Sequence, residues 1–230
     1  LGGIKNTEYK VNQKAYNGLS ILPYDGGTYK QAPFDDCEEA TYDKMVETLD
    51  LIRQHYSGDQ IQLDGEYIKV SGFSGAPIPG KMPPVMIGGG AKRILGIAGE
   101  HADIVSINFN NSAGKIGPEG VGSGTSVGTL QKLEWIKAGA GDRFSEIEIE
   151  IAAYFTVITD HSDVVANEFA KLFNLSSSEI LDHPHCLIGQ TSEVIEKIQR
   201  RREEFGINYI TFGGAAIDDV APIVEALSGT

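Results

Sequence analysis

The stretch "PPVMIGGGAKRILGIAGEHADIVSI", residues 83–107, decides the fold. It reads as an apolar strand over 84–88, three glycines, a helix over 91–101 and a second strand over 103–107. A helix crossing between two strands implies that the strands run parallel. Gly88, Gly89 and Gly90 end the first strand and open the helix. Glycines there let a ligand come close to the backbone and meet its N–H groups. The helix start adds about half a positive charge, so this place suits an anion, typically phosphate. Lys92 and Arg93 add full charges. A second reading stays open: a tight strand–helix turn that needs glycine for its geometry, beside solvated cations. The spacing is not that of a GxxxxGK(S/T) loop, and Arg93 stands where the last glycine of GxGxxG belongs.

Outward from this unit the second half keeps alternating. Helices are expected at about 129–139, 163–174, 191–205 and 218–227, and strands at 147–159 and 207–212. In "IEIEIAAYFTVIT" (147–159) Ile147, Ile149 and Ile151 share one face and Glu148 and Glu150 the other, before the run turns apolar on both faces. Before the unit, a helix is expected over 36–56 and a hairpin in "IQLDGEYIKV" turning at Asp64-Gly65. Residues 1–35 read as loop, and the glycine-rich 109–128 as a long loop placed to cover a substrate. The alternation means a barrel or a doubly wound sheet.

Composition narrows the function. The chain has 230 residues, 41% hydrophobic and 22% charged, and is read as a single domain, 1–230. A net charge of −13 disfavours nucleic acid and anionic membrane surfaces as partners. No window is long and apolar enough to span a bilayer, and no leader peptide is visible. Cys37 and Cys186 make neither a disulfide framework nor a zinc site, so a reducing cytoplasm is the expected compartment.

Several phrases resemble the luciferase-like monooxygenase superfamily. Pro83, Pro84, Gly88, Gly89, Arg93, Ala102 and Asp103 follow its usual order. "DGEYIKV" (64–70) resembles its hairpin. "LEWIKAGAGDRFSEIEI" (133–149) resembles a subgroup that depends on the deazaflavin coenzyme F-420. "LIGQTSEVIEKIQRRREEFGINYITF" (187–212) resembles its closing helix and last strand. "LGGIKNTEY" (1–9) resembles the end of the fourth strand, although the family's Trp is absent there. The resemblance implies a (β/α)8 TIM-type barrel, of which this chain supplies about strands 4–8 and lacks the first strands. A barrel cut open exposes two strand edges. The expectation is therefore a second polypeptide supplying the N-terminal strands, a homo-oligomer, a longer parent sequence, or a shortened barrel. The start at Leu1 favours either a second polypeptide or a longer parent sequence.

The function implied by the resemblance is hydride transfer between coenzyme F-420 and an organic small-molecule substrate. The cofactor phosphate would lie on Gly88, Gly89, Gly90 and Ala91, and its acidic tail near Lys92 and Arg93. FMN-dependent monooxygenation on the same fold is the alternative, and a non-catalytic barrel subunit that binds a partner or flavin is a third reading. The family's acid–base residues lie on its first strands, so no catalytic residue is assigned. His55, His101, His161, His183 and His185 are the visible candidates. His183-Pro184-His185 lacks the companions of a metal site, and its histidines read as loop residues. Glu8 and Tyr9 resemble a pair near the family's substrate pocket, with a structural hydrogen bond as the other reading. Trp135 reads as helix packing.

Overall fold

In the computed structural model the described residues are 38–77, 80–111 and 116–229. The chain divides into two compact units, residues 1–44 and 45–230. The first holds only the start of a described helix, α1 (Glu38–Ser57). The expected loop over 1–35, the strand tail at 1–9, Glu8, Tyr9 and Cys37 lie outside the described residues.

The second unit is built on four parallel strands: β3 (Met86–Gly89), β4 (Ile104–Ile107), β5 (Glu148–Ala153) and β8 (Ile207–Phe212), hydrogen-bonded in that order. Helix α2 (Lys92–His101) links β3 to β4, and α4 (Ser126–Ala140) with a 3-10 turn (Gly141–Glu146) links β4 to β5. Between β5 and β8 come β6 (Phe155–Ile158), α5 (Ser162–Phe173), α6 (Ser177–Asp182), β7 (Cys186–Gly189) and α7 (Thr191–Phe205); α8 (Ile217–Leu227) closes the chain.

The alternation of β5 sorts the two faces of this sheet. Ile149 and Ile151 join Ile87, Val105, Ile107 and Ile207 under Leu95 and Ala98 of α2 and Leu133 and Ile136 of α4. Burial of such side chains supplies roughly 1.5–3 kcal/mol each. The helices approach closely because two positions lack side chains. A Cβ on Gly99 would collide with the Ile136 carbonyl, and one on Gly139 with that of Gly96. Arg143 of the 3-10 turn donates to the carbonyls of Gly99 and Ala102 and so fastens the end of α2. The other face carries a row set by register: Gly88, Ser106, Glu150 and Tyr209. Met86 and Tyr209 there are 46% and 42% exposed.

Four expectations need correction. The strand over 147–159 is interrupted at Tyr154: β5 stays in the four-stranded sheet, while β6 leaves it to pair with β7. The hairpin of β1 (Ile61–Asp64) and β2 (Lys69–Phe73) is joined by four residues, not a two-residue turn. Its shape follows from Glu47, whose carboxylate accepts from the N–H groups of Glu66, Tyr67 and Ile68 at 2.7–3.0 Å. The 109–128 segment is not one open loop. It contains α3 (Pro118–Gly122), with Val121 fully buried, and the first turn of α4. Ser123 pins it by accepting from Asn110 N–H and donating to the Gly120 carbonyl. Finally, α6 and β7 are elements beyond the expected set.

Candidate functional site

The C-terminal ends of β3, β4 and β5 bring together Gly88–Ala91, Asn108 and Tyr154. None of the three glycines of the turn lies in the left-handed region. Their smallness matters for packing. A Cβ on Gly88 would stand 2.9 Å from Asn108 Nδ2; one on Gly89 would strike the Ile94 side chain, and one on Gly90 the Phe109 carbonyl. The glycines thus let the exit of β4 lie against the turn, where Asn108 N–H donates to the Gly89 carbonyl at 2.8 Å. The tight-turn reading accounts for why these residues are glycine.

What the turn leaves for a ligand is the start of α2. Its N-cap, Ala91, has extended geometry (φ −108°, ψ 158°) and supplies no side-chain cap, and the first turn holds no acidic residue. Helix starts normally gain a capping oxygen for these amides. Here the position offers donors, the helix dipole and the exposed cations Lys92 and Arg93 in one place. That set suits a phosphate.

Beside it sits a polar group that sequence reading missed. Tyr154 Oη donates to Asn108 Oδ1 at 2.7 Å. Asn108 Nδ2 lies 3.4 Å from Ser106 Oγ and 3.5 Å from the Ser106 carbonyl. Lys132 of α4 is buried and donates to the Asn108 carbonyl at 2.6 Å. Burial pushes its pKa down to about 8. Burial, aided by the Glu150 carboxylate, raises that of Tyr154, which keeps the phenol neutral. Single polar residues in apolar runs give no periodic signal. The one hint was Tyr154 at the point where "IEIEIAAYFTVIT" loses its alternation.

His183 and His185 lie in the turn between α6 and β7, as loop residues, and are fully buried. His183 Nε2–H donates to the Val121 carbonyl at 2.9 Å, and its Nδ1 accepts from His185 N–H at 3.2 Å. His185 Nδ1–H donates to the Ala152 carbonyl at 2.8 Å, while its buried Nε2 has no partner. Burial lowers His183 to about 4 and His185 well below its ordinary value, so both rings are neutral at pH 7. Phe109 fills the space between them and Tyr154, with ring centroids 4.4 Å from His185 and 5.0 Å from Tyr154.

The other histidines stand apart. His101 meets Arg53, whose guanidinium donates to its carbonyl at 2.7 Å, and His161 precedes α5. Trp135 packs half-buried against the helix-covered core. Cys186 is a buried free thiol whose pKa burial raises to about 12. Among the described residues no three His, Cys, Asp or Glu side chains gather as metal ligands, and no helix is long and apolar enough to cross a membrane.

Comparison with known proteins bears on this arrangement. The family model described as luciferase-like monooxygenase matches residues 28–119, which include β3, the glycine turn, α2 and β4. No curated protein matches the chain. Among solved structures, an F-420-dependent secondary alcohol dehydrogenase in complex with an F-420–acetone adduct is 17% identical, with a TM-score of 0.56 over 88% of this chain and 65% of its own. A coenzyme F-420-dependent tetrahydromethanopterin reductase from Methanopyrus kandleri is 16% identical, with a TM-score of 0.57 over 80% of this chain and 62% of its own. A riboflavin lyase with modified FMN and riboflavin is 13% identical, with a TM-score of 0.52 over 82% of this chain and 57% of its own. At these identities the likeness is one of fold: an α/β architecture matching luciferase-like barrels. The chain spans less than two thirds of the length of each of these structures.

Proposed function

We propose that this chain is the C-terminal part of a luciferase-like (β/α)8 barrel and takes part in hydride transfer between coenzyme F-420 and an organic substrate. Strands β3, β4, β5 and β8 serve as barrel strands five to eight. The polar face of the sheet is then the barrel interior, and the ends of the strands its ligand face. The remaining strands come from a longer parent sequence, a second polypeptide or another copy of the chain; the edge positions of β3 and β8 among the described strands support this.

The observation that carries the reading is the glycine turn running into the uncapped start of α2 beside Lys92 and Arg93. The amides of residues 88–91 take the cofactor phosphate, and the two cations its acidic tail. The bound deazaflavin supplies the hydride chemistry, and the chain orients it and excludes competing reactions. The Gly-Asp-Arg-Phe turn at 141–144, the phrase that resembles the F-420 subgroup, supports this position through Arg143, which fixes the far end of α2.

A substitution at Gly89 does not test this, because its Cβ disturbs Ile94 whether or not a ligand binds. Ala91→Asp does. The extended N-cap accepts aspartate, whose carboxylate caps α2 and stabilises it by about 1 kcal/mol. The same carboxylate repels phosphate. The expected result is a variant that melts no lower than the parent and loses at least tenfold in affinity for coenzyme F-420, followed by ring absorbance. Undiminished affinity overturns the phosphate position. Binding of FMN alone selects the monooxygenase alternative, and binding of neither cofactor, even with any co-purifying partner chain present, selects the non-catalytic subunit.

A further inference from the structure

Tyr154 stands where β5 and β6 part, one strand from the glycine turn through Asn108. It is half-buried, and Phe109 and His185 back its ring. A phenol has one hydrogen to donate and an oxygen that also accepts. The orientation of Asn108 decides where that hydrogen goes. The Ser106 carbonyl can only accept, so the amide nitrogen Nδ2 faces it and Oδ1 faces the phenol. The hydrogen of Tyr154 is therefore committed to Asn108. What the phenol still offers is an acceptor, held in place by a short hydrogen bond at the mouth of the strands.

We infer that Tyr154, fixed by Asn108, selects the molecule bound at the strand ends by accepting a hydrogen bond from its O–H or N–H group. Two sources share this chemistry: the ring imide N–H of a flavin-type cofactor and the hydroxyl of an alcohol substrate. A ketone, which only accepts, gains nothing from this phenol. Ser106 and Glu150 lie on the same face of the sheet, both buried. This makes Tyr154 a positioning and specificity residue, and it rests on the strand ends being the ligand face.

The test compares the parent chain with Tyr154→Phe and Asn108→Ala. Coenzyme F-420 and FMN are titrated by ring absorbance and fluorescence. Propan-2-ol and acetone are then titrated against the cofactor-loaded protein through the shift of the ring spectrum. One neutral hydrogen bond corresponds to about a fivefold change in Kd. If the ring is the source, Tyr154→Phe weakens cofactor binding about fivefold. If the substrate is the source, cofactor binding is unchanged, propan-2-ol binds about fivefold weaker and acetone is unaffected. Asn108→Ala frees the phenol hydrogen and moves the preference toward acetone. Thermal melting checks that both variants fold. Parent-like values for Tyr154→Phe in both arms overturn this inference and leave the cofactor reading standing. A parent chain that binds neither cofactor, even with any co-purifying partner chain present, overturns both.

Discussion

Lys132 carries an ammonium group into the protein with a carbonyl, not a carboxylate, as its partner. Its pKa of about 8 in the folded state lies below its ordinary value of 10.5. Below pH 8 the group is charged in both states, so burial costs stability in full. Between pH 8 and 10.5 the folded state has shed a proton that the unfolded state still holds, so stability rises with pH. The rise attributable to Lys132 is on the order of 3 kcal/mol. Urea unfolding at pH 7.5 and pH 10 should show it as a difference between the parent and Lys132→Met, whose profile is flatter. The histidines act on the acid side. His183 is lowered from 6.5 to about 4, so its contribution is complete above pH 6.5 and lost as the pH falls toward 4. His183→Gln, which keeps a donor toward the Val121 carbonyl, should flatten that acid limb. At this scale the sequence displayed the glycines and cations of the turn. It hid Asn108, Lys132 and Tyr154, because their roles come from which strand ends meet.

Among the elements, the closest fit is between α2 and α4. Gly99→Ala places a methyl group against the Ile136 carbonyl in a pair of helices with no room to part. The expected loss is roughly 1–3 kcal/mol, read as a lower denaturation midpoint with an unchanged slope. Arg201 on α7 has a comparable hold on the entry to β7. Its buried guanidinium donates to the carbonyls of His183, Pro184 and Cys186 at 2.8–3.0 Å. Arg201→Met leaves three carbonyls without that donor and should cost about 3 kcal/mol or more. At the hairpin, burial opposes ionisation of Glu47, but its three backbone donors hold the carboxyl below the usual range. Glu47→Ala should therefore speed hydrogen exchange at residues 66–68 with little change elsewhere. Elements with a strong period were legible: α7 and β8 lie where apolar spacing puts them, at 191–205 and 207–212. Shorter ones were not. Four residues of β7 give no alternation to count, and α3 begins at Pro118 within a glycine-rich run that reads as loop.

For the whole molecule, helices cover one face of the four-stranded sheet, and β3 and β8 end it on either side among the described strands. Such edges invite pairing with another chain. Sedimentation should show association that grows with concentration, and Tyr209→Lys, on the half-open face of β8, should weaken it without altering the helical spectrum. Parallel order and helical crossovers were legible from the strand–helix alternation. The departure of β6 was not, since each half of 147–159 looks like one strand until its separate neighbours are known.

That departure has a consequence for how such a molecule can change over time. The segment from Phe155 to Gly189 has its own two-stranded pairing, but its aromatic rings, Phe155, Phe169 and Phe173, share one core with Phe109 and Val121 from the connection after β4. Beyond the chain step at Tyr154, it is tied to the rest through His183 on the Val121 carbonyl, His185 on the Ala152 carbonyl, Ser126 on Asp182 and Arg201 on the carbonyls of His183, Pro184 and Cys186. Substitutions in this segment are therefore coupled to Phe109, Val121 and Arg201, and a lineage that reshapes it must change those partners in step, while the four parallel strands keep their register.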